Sequence, residues 1–146
     1  MTRLVGLGST LLALVTRSAG SRAGERPQAA FAARDETTVL AELFGSAPAQ
    51  VSSAIRIDVA SFIADGAVVP LQVSVDTLHD VSSIAVIAPR NPVLLVAHFE
   101  LHPRALPEVA TRIKLAMTQE IVVAAQTSAG VLLNRRRVEV ARGGCA

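Results

Sequence analysis

From residue 51 onward the apolar positions of the chain recur at every second residue. Ile55, Ile57 and Val59 alternate with Arg56 and Asp58, and Val69, Leu71, Val73 and Val75 alternate with Pro70, Gln72 and Ser74. Successive side chains of a strand point to opposite faces, so a period of two predicts strands with one buried face. Residues 84–88 are apolar on both faces, which predicts a central strand, and Arg90-Asn91-Pro92 breaks it. The next inward sets are Leu95, Ala97, Phe99 and Leu101, then Val109, Ile113 and Leu115, then Ile121, Val123 and Ala125. A last strand over 131–140 follows the turn Ser128-Ala129-Gly130. Asp65-Gly66 is a further turn signal. Pro70 removes a ladder donor, so its strand is expected at an edge or at a bulge.

Upstream of the strands the period changes. Val39, Leu40, Leu43 and Phe44 share one face of a helix predicted over 35–45. Asp35 stands where it can cap that helix, Glu36 adds negative charge to the first turn, and Gly45 occupies the position after its end. Its single apolar stripe suits docking on a core. One short N-terminal helix and about seven short strands with turn chemistry between them predict an all-β fold, an immunoglobulin-like antiparallel β-sandwich. No internal repeat or long linker interrupts it.

Composition narrows the function classes. The 146 residues are 51% hydrophobic, enough for one domain with a proper core. Aromatics are 3%, with no Trp or Tyr, which counts against stacking on nucleic-acid bases. The net charge of +2 arises in the first third. From Arg34 onward ten Lys+Arg face eleven Asp+Glu, a balance of −1, so no basic footprint for DNA or RNA remains.

Residues 1–33 read as a leader. The uncharged run 4–15, flanked by Arg3 and Arg17, has the length of a signal-peptide core and is too short to span a bilayer, so no stable membrane anchor is expected. Ala30-Phe31-Ala32 has the form of a cleavage site. The sequence thus divides into a leader over 1–33, a β-sandwich over 34–140 and a tail over 141–146.

That tail carries the one cysteine. Gly143 and Gly144 bring no side chains and cover both halves of backbone space, which predicts a swivel, and Cys145 follows directly. Fully extended, the chain from Val140 to Cys145 reaches about 17 Å. A lone thiol displayed this way has no partner for an internal disulfide. Read by itself, the tail admits an inert end, a link between two chains, or a thiol that is handed to something else.

Catalytic chemistry is sparse. His98 and His102 could share a strand face, but no acidic or thiol ligand accompanies them or His79, so no metal or cofactor is expected. Phosphate-cradling glycine loops and a nucleophile elbow are missing from the sequence. Arg135-Arg136-Arg137 is split by strand geometry, residues 135 and 137 on one face and 136 on the other; a role in docking a partner is the second reading. The chain is read as a non-enzyme.

The motifs together resemble SoxY. They are Asp65-Gly66-Ala67-Val68-Val69-Pro70, Asn91-Pro92, Val96-Ala97-His98-Phe99, the stretch from Val109 to Ala116 with Gln119, and the terminal Gly143-Gly144-Cys145. SoxY is the sulfur-carrier subunit of the bacterial thiosulfate-oxidising Sox system. The resemblance implies a periplasmic immunoglobulin-like protein in a heterodimer with a SoxZ-like subunit. Cys145 would hold thiosulfate-derived sulfur covalently, with Gly143 and Gly144 as the arm. A Sox cytochrome would load it, a hydrolase would remove sulfonate as sulfate, and a sulfur dehydrogenase would oxidise the remaining sulfane. The family usually ends Gly-Gly-Cys-Gly-Gly, whereas Ala146 alone follows here, bringing a carboxylate closer to the thiol and disfavouring its ionisation. Family leaders also usually carry a twin arginine, which this one lacks. The competing expectation is an exported, non-catalytic β-sandwich used for interaction, with Cys145 idle or linking two chains.

Overall fold

The period-two segments fold as strands that face one another across an apolar interior. The structure, a computed structural model, describes residues 26–76, 78 and 80–141. In chain order these form α1 (Gln28–Ala32), α2 (Glu36–Phe44), β1 (Ala49–Val51), β2 (Ile55–Asp58), β3 (Phe62–Ile63), β4 (Val69–Val75), β5 (Val81–Ile87), β6 (Leu95–Glu100), β7 (Glu108–Ile113), β8 (Gln119–Thr127) and β9 (Gly130–Val140). All seven expected strands are present, as β2 and β4 to β9. The helix expected over 35–45 is α2. The alternating β4 buries Val69, Leu71, Val73 and Val75 and exposes Pro70 and Gln72 between them.

A large sheet runs β1-β9-β8-β5-β6, with β3 also on the outer edge of β9, and a small sheet runs β2-β4-β7. The long pairs are antiparallel, while β1 and β3 lie parallel to β9. The chain runs beside β9 as β1, crosses to the small sheet as β2, and returns to β9 as β3. Ser52 donates its backbone N–H to the Leu133 carbonyl, and the Asn134 side-chain amide donates to the Ile55 carbonyl at 2.7 Å, tying this crossing to β9.

Two interiors result. Between the sheets Ile55, Val73, Ile84, Val86, Ile121, Val123 and Val138 are buried. On the other face of the large sheet, Ala85, Ile87, Val122 and Ala124 pack beneath the helices with Val39 and Phe44. β5 is therefore covered on both faces, as the apolar run 84–88 predicts, and so is β8, where alternation alone is expected. Each such Val, Leu or Ile contributes roughly 1.5–3 kcal/mol by leaving water.

Helix α2 starts where Asp35 accepts from the Thr38 N–H and from its hydroxyl, both at 2.8 Å, which holds the Asp35 carboxyl below its usual range. Gly45 ends it at φ 63°, the left-handed conformation that favours glycine. Arg135 makes a two-pronged ion pair with Glu36, fixing α2 to β9. The Arg run is divided accordingly: Arg135 is taken up by the helix, and Arg137 lies 3.7 Å from Glu139.

One expectation is revised. Pro70 sits in β4, the central strand of the small sheet, and not in an edge strand or a bulge. The β2 ladder stops at Asp58 opposite Gln72, so at Pro70 only β7 is paired, and a missing N–H is tolerated there. A second helix, α1, lies inside the stretch read as leader. It includes Ala30-Phe31-Ala32, and Ala30 and Ala33 are buried in the interior beneath the helices. No helix among the described residues is long and apolar enough to cross a membrane.

Candidate functional site

Cys145, Gly143 and Gly144 lie outside the described residues, as does His79. What the structure gives is the place from which the tail departs, residues 138–141 at the end of β9. Val138 is fully buried between the sheets. On the outer edge, Glu139 donates to the Ser61 carbonyl and Ala141 to the Ile63 carbonyl, each at 2.8 Å, in the parallel ladder with β3. From the β8 side the Thr118 hydroxyl takes the Val140 N–H at 3.0 Å and reaches the Val140 carbonyl at 3.3 Å. Backbone groups at the end of a sheet need partners, and here both sides supply them. The tail therefore leaves from an anchored root.

The Asp65-Gly66 turn backs this root. Asp65 accepts from the Ala67 N–H at 2.8 Å, the side-chain-to-backbone bond that makes aspartate a turn residue. The Gly66 carbonyl accepts from Leu115 at 2.8 Å. A Cβ on Gly66 would stand 2.2 Å from the Leu115 oxygen and 3.1 Å from a Val140 methyl, so only glycine permits this approach.

Asn91 and Gln119 complete the end of the sandwich. Gln119 is 2% exposed, and its oxygen accepts from the Arg90 backbone at 2.9 Å. Its amide donates to Asn91 at 3.0 Å and to the Met117 carbonyl at 3.2 Å. Asn91 also accepts from Ala116 at 2.9 Å and donates to the Lys114 carbonyl at 2.7 Å. The Arg90 guanidinium donates to the Thr118 carbonyl at 3.2 Å. The loop after β5 and the loop before β8 are thus one hydrogen-bonded unit, and Thr118 joins it to Val140. Gln119→Leu leaves these buried partners unmatched and is expected to cost about 1–2 kcal/mol, read as a lower midpoint in chemical denaturation with an unchanged slope.

His98 and His102 do not converge. β6 ends at Glu100, and the exposed His102 accepts from the Arg104 N–H at 3.2 Å in the following turn. Among the described residues no three His, Cys, Asp or Glu side chains gather as metal ligands. Burial of His98 pushes its imidazole below the ordinary value, against a weaker opposing pull from Glu100. The neutral ring is the form the fold accepts, so below about pH 6.5 the unfolded chain binds the proton more readily and stability falls with pH. His98→Gln should flatten that acid-side loss in thermal melts run at about pH 7.5 and 5.5.

Of the residues that carry the resemblance, Asn91 and Gln119 bond to one another, and Gly66 packs against Leu115 and Val140. Thr118 was not foreseen. A threonine in a turn carries no sequence mark of a hydroxyl that clamps another strand.

The family profile described as sulfur oxidation protein SoxY matches residues 40–145. Among solved structures, the sulfur carrier protein SoxY from Chlorobium limicola f thiosulfatophilum is similar at 33% identity and a TM-score of 0.66, over 72% of this chain and 94% of that one. A superoxide reductase (neelaredoxin) from Ignicoccus hospitalis reaches a TM-score of 0.53 at 16% identity, over 60% of this chain and 80% of that one, a likeness of fold alone. No curated protein sequence matches the chain.

Proposed function

The chain belongs to the SoxY family of sulfur oxidation proteins, and on that premise we propose that it is a covalent sulfur carrier in thiosulfate oxidation, with Cys145 as the attachment site. The observation that carries this reading is the family match itself, which extends through Cys145 directly behind Gly143-Gly144. The anchored root at Val140 supports it, since a swivel delivers cargo only if its base is fixed. The protein presents substrate and leaves bond-making to its partners.

Loading joins the Cys145 thiolate to the outer sulfur of thiosulfate, giving an S-thiosulfonate, and two electrons pass to a cytochrome. Water then displaces sulfonate as sulfate and leaves a persulfide on Cys145. A dehydrogenase takes six electrons from the terminal sulfur as three water oxygens add to it, and a second hydrolysis releases sulfate and the thiol. Thiol–disulfide chemistry keeps every cargo reversibly bound. A SoxZ-like subunit is the proposed heterodimer partner, and the periplasm the proposed compartment. Because Ala30 and Ala33 belong to the folded unit, a leader cut upstream of α1 keeps that interior whole.

Intact mass of the protein from its exported fraction, with and without reductant, tests this reading. Reductant-sensitive additions matching sulfane or thiosulfonate are expected on the peptide containing Cys145, and the same spectrum gives the mature N-terminus. A bare thiol, or only a disulfide dimer, after exposure to thiosulfate and the loading enzyme would reassign the chain to interaction without cargo.

A further inference from the structure

At the same end of the sandwich as the arm root, across the large sheet from it, lies a cluster of cations, of which Arg112 also lines a second cleft with Asp58. A cleft of about 440 Å³ between α1 and the edges of β6 and β7 is lined by Arg26, Arg112 and Lys114 together with Pro92, Val93 and Val96, and no carboxylate lines it. Arg90 adjoins it through Asn91, and neither Arg90, Arg112, Lys114 nor Arg26 is ion-paired among the described residues. Two acids at the root are engaged: Asp65 holds its own turn, and Glu139 lies 3.7 Å from Arg137. Arg90 is held by Thr118 and Arg26 lies over the Phe31 ring, but like charges gathered without ion-pair partners repel one another, so the cluster carries excess positive potential. It is suited to a negative surface outside it.

Its position is set by the same bonds that fix the arm. Arg90 donates to Thr118, which holds Val140, and Asn91 holds the Lys114 carbonyl. From β9 to β6 the large sheet has three inter-strand steps, about 14 Å at the usual spacing. The chain from Val140 to Cys145 spans about 17 Å when extended. An enzyme that draws Cys145 into its active site uses up most of that length, so the mouth of its channel must rest on the surface within this radius.

We propose that Arg90, Arg112 and Lys114 form the docking surface for the hydrolase that removes sulfonate from Cys145, meeting an acidic rim around that enzyme's channel. The proposal rests on the carrier reading above. Unpaired rim charges act chiefly on encounter, so removing them should raise KM for the carrier, leave kcat unchanged and weaken the salt dependence.

The test uses the full chain with its natural partner subunit, loaded at Cys145 by tetrathionate. Thiolate attack on a central sulfur forms the S-thiosulfonate and expels thiosulfate, which mass confirms. Sulfate release by the purified sulfonate-removing hydrolase is then followed at low and at physiological salt. Arg112→Glu with Lys114→Glu is expected to raise KM at least tenfold at low salt, with kcat and the rate of Cys145 alkylation by neutral iodoacetamide within twofold of wild type. Arg112→Gln with Lys114→Gln should fall between the two, which separates charge from misfolding. Unchanged KM at both salts would overturn the proposal, as would an altered alkylation rate, which would mean that the cations act on the thiol itself. Loss of the low-salt advantage on replacing chloride by sulfate at constant ionic strength would also overturn it, in favour of a small-anion site. Failure of the wild-type adduct to be consumed at all would instead remove the carrier reading.

Discussion

Cys145→Ser is expected to abolish every reductant-sensitive adduct and all thiosulfate-dependent turnover, while the melting temperature stays within about 1 °C of wild type. The separation follows from position. Among the described residues the last buried side chain is Val138, Val140 packs against the same interior, and the last backbone bond is donated by Ala141, four residues before Cys145. A serine hydroxyl stays protonated at neutral pH and forms no persulfide or disulfide, so the loss is total and not graded. Mass spectrometry of the variant after exposure to thiosulfate and the loading enzyme checks the first half, and thermal denaturation checks the second. An adduct that persists on the serine variant would show the cargo sits elsewhere; a large fall in melting temperature would show that the tail belongs to the fold.

Gly66→Val should produce the largest loss of stability of any single substitution on the turn beside the root, about 3 kcal/mol or more. The nearest obstacle to its side chain is the Leu115 carbonyl oxygen at 2.2 Å, a backbone atom that already accepts no slack because Leu115 donates to Gly66. Either the turn lifts from the end of the sandwich or β7 is displaced, and each breaks the Leu115 bond. The expected drop in melting temperature is roughly 10 °C for a unit of this size. The Val140 and Ala141 amides should also exchange with solvent sooner, since Val140 packs against the same turn. A variant as stable as wild type would show that the turn adjusts freely and does not brace the arm.

Sequence periodicity disclosed the sandwich well. β4 and β5 announce themselves, one by strict alternation and the other by apolar runs on both faces, and α2 by its cap, stripe and terminal glycine. Elements too short to express a period escaped: β1 has three residues and β3 two, and both exist because β9 offers them a backbone edge. Helix α1 escaped for another reason, since its small residues also fit a leader, and only burial of Ala30 separates the two. Pro70 misled because strand order is not a local property; the shortness of β2 makes a central strand behave as an edge at that point. The thiol and its glycines were legible from composition alone. The bracing of their root was not, because it depends on Thr118 and Gln119 meeting partners more than twenty residues away in the chain.

The parallel placement of β1 and β3 has a consequence for how copies of the protein behave in a crowded solution. An uncovered outer edge on β9 would be a template on which the same strand of another molecule could zip, as exposed edges do in aggregation and domain exchange. Here β1 covers residues 131–133 and β3 covers 139 and 140, leaving no long uninterrupted ladder between them. Two copies cannot align their last strands over their full length, and so their terminal thiols are not brought side by side by backbone pairing. The short strands act as stoppers against that kind of strand exchange between copies.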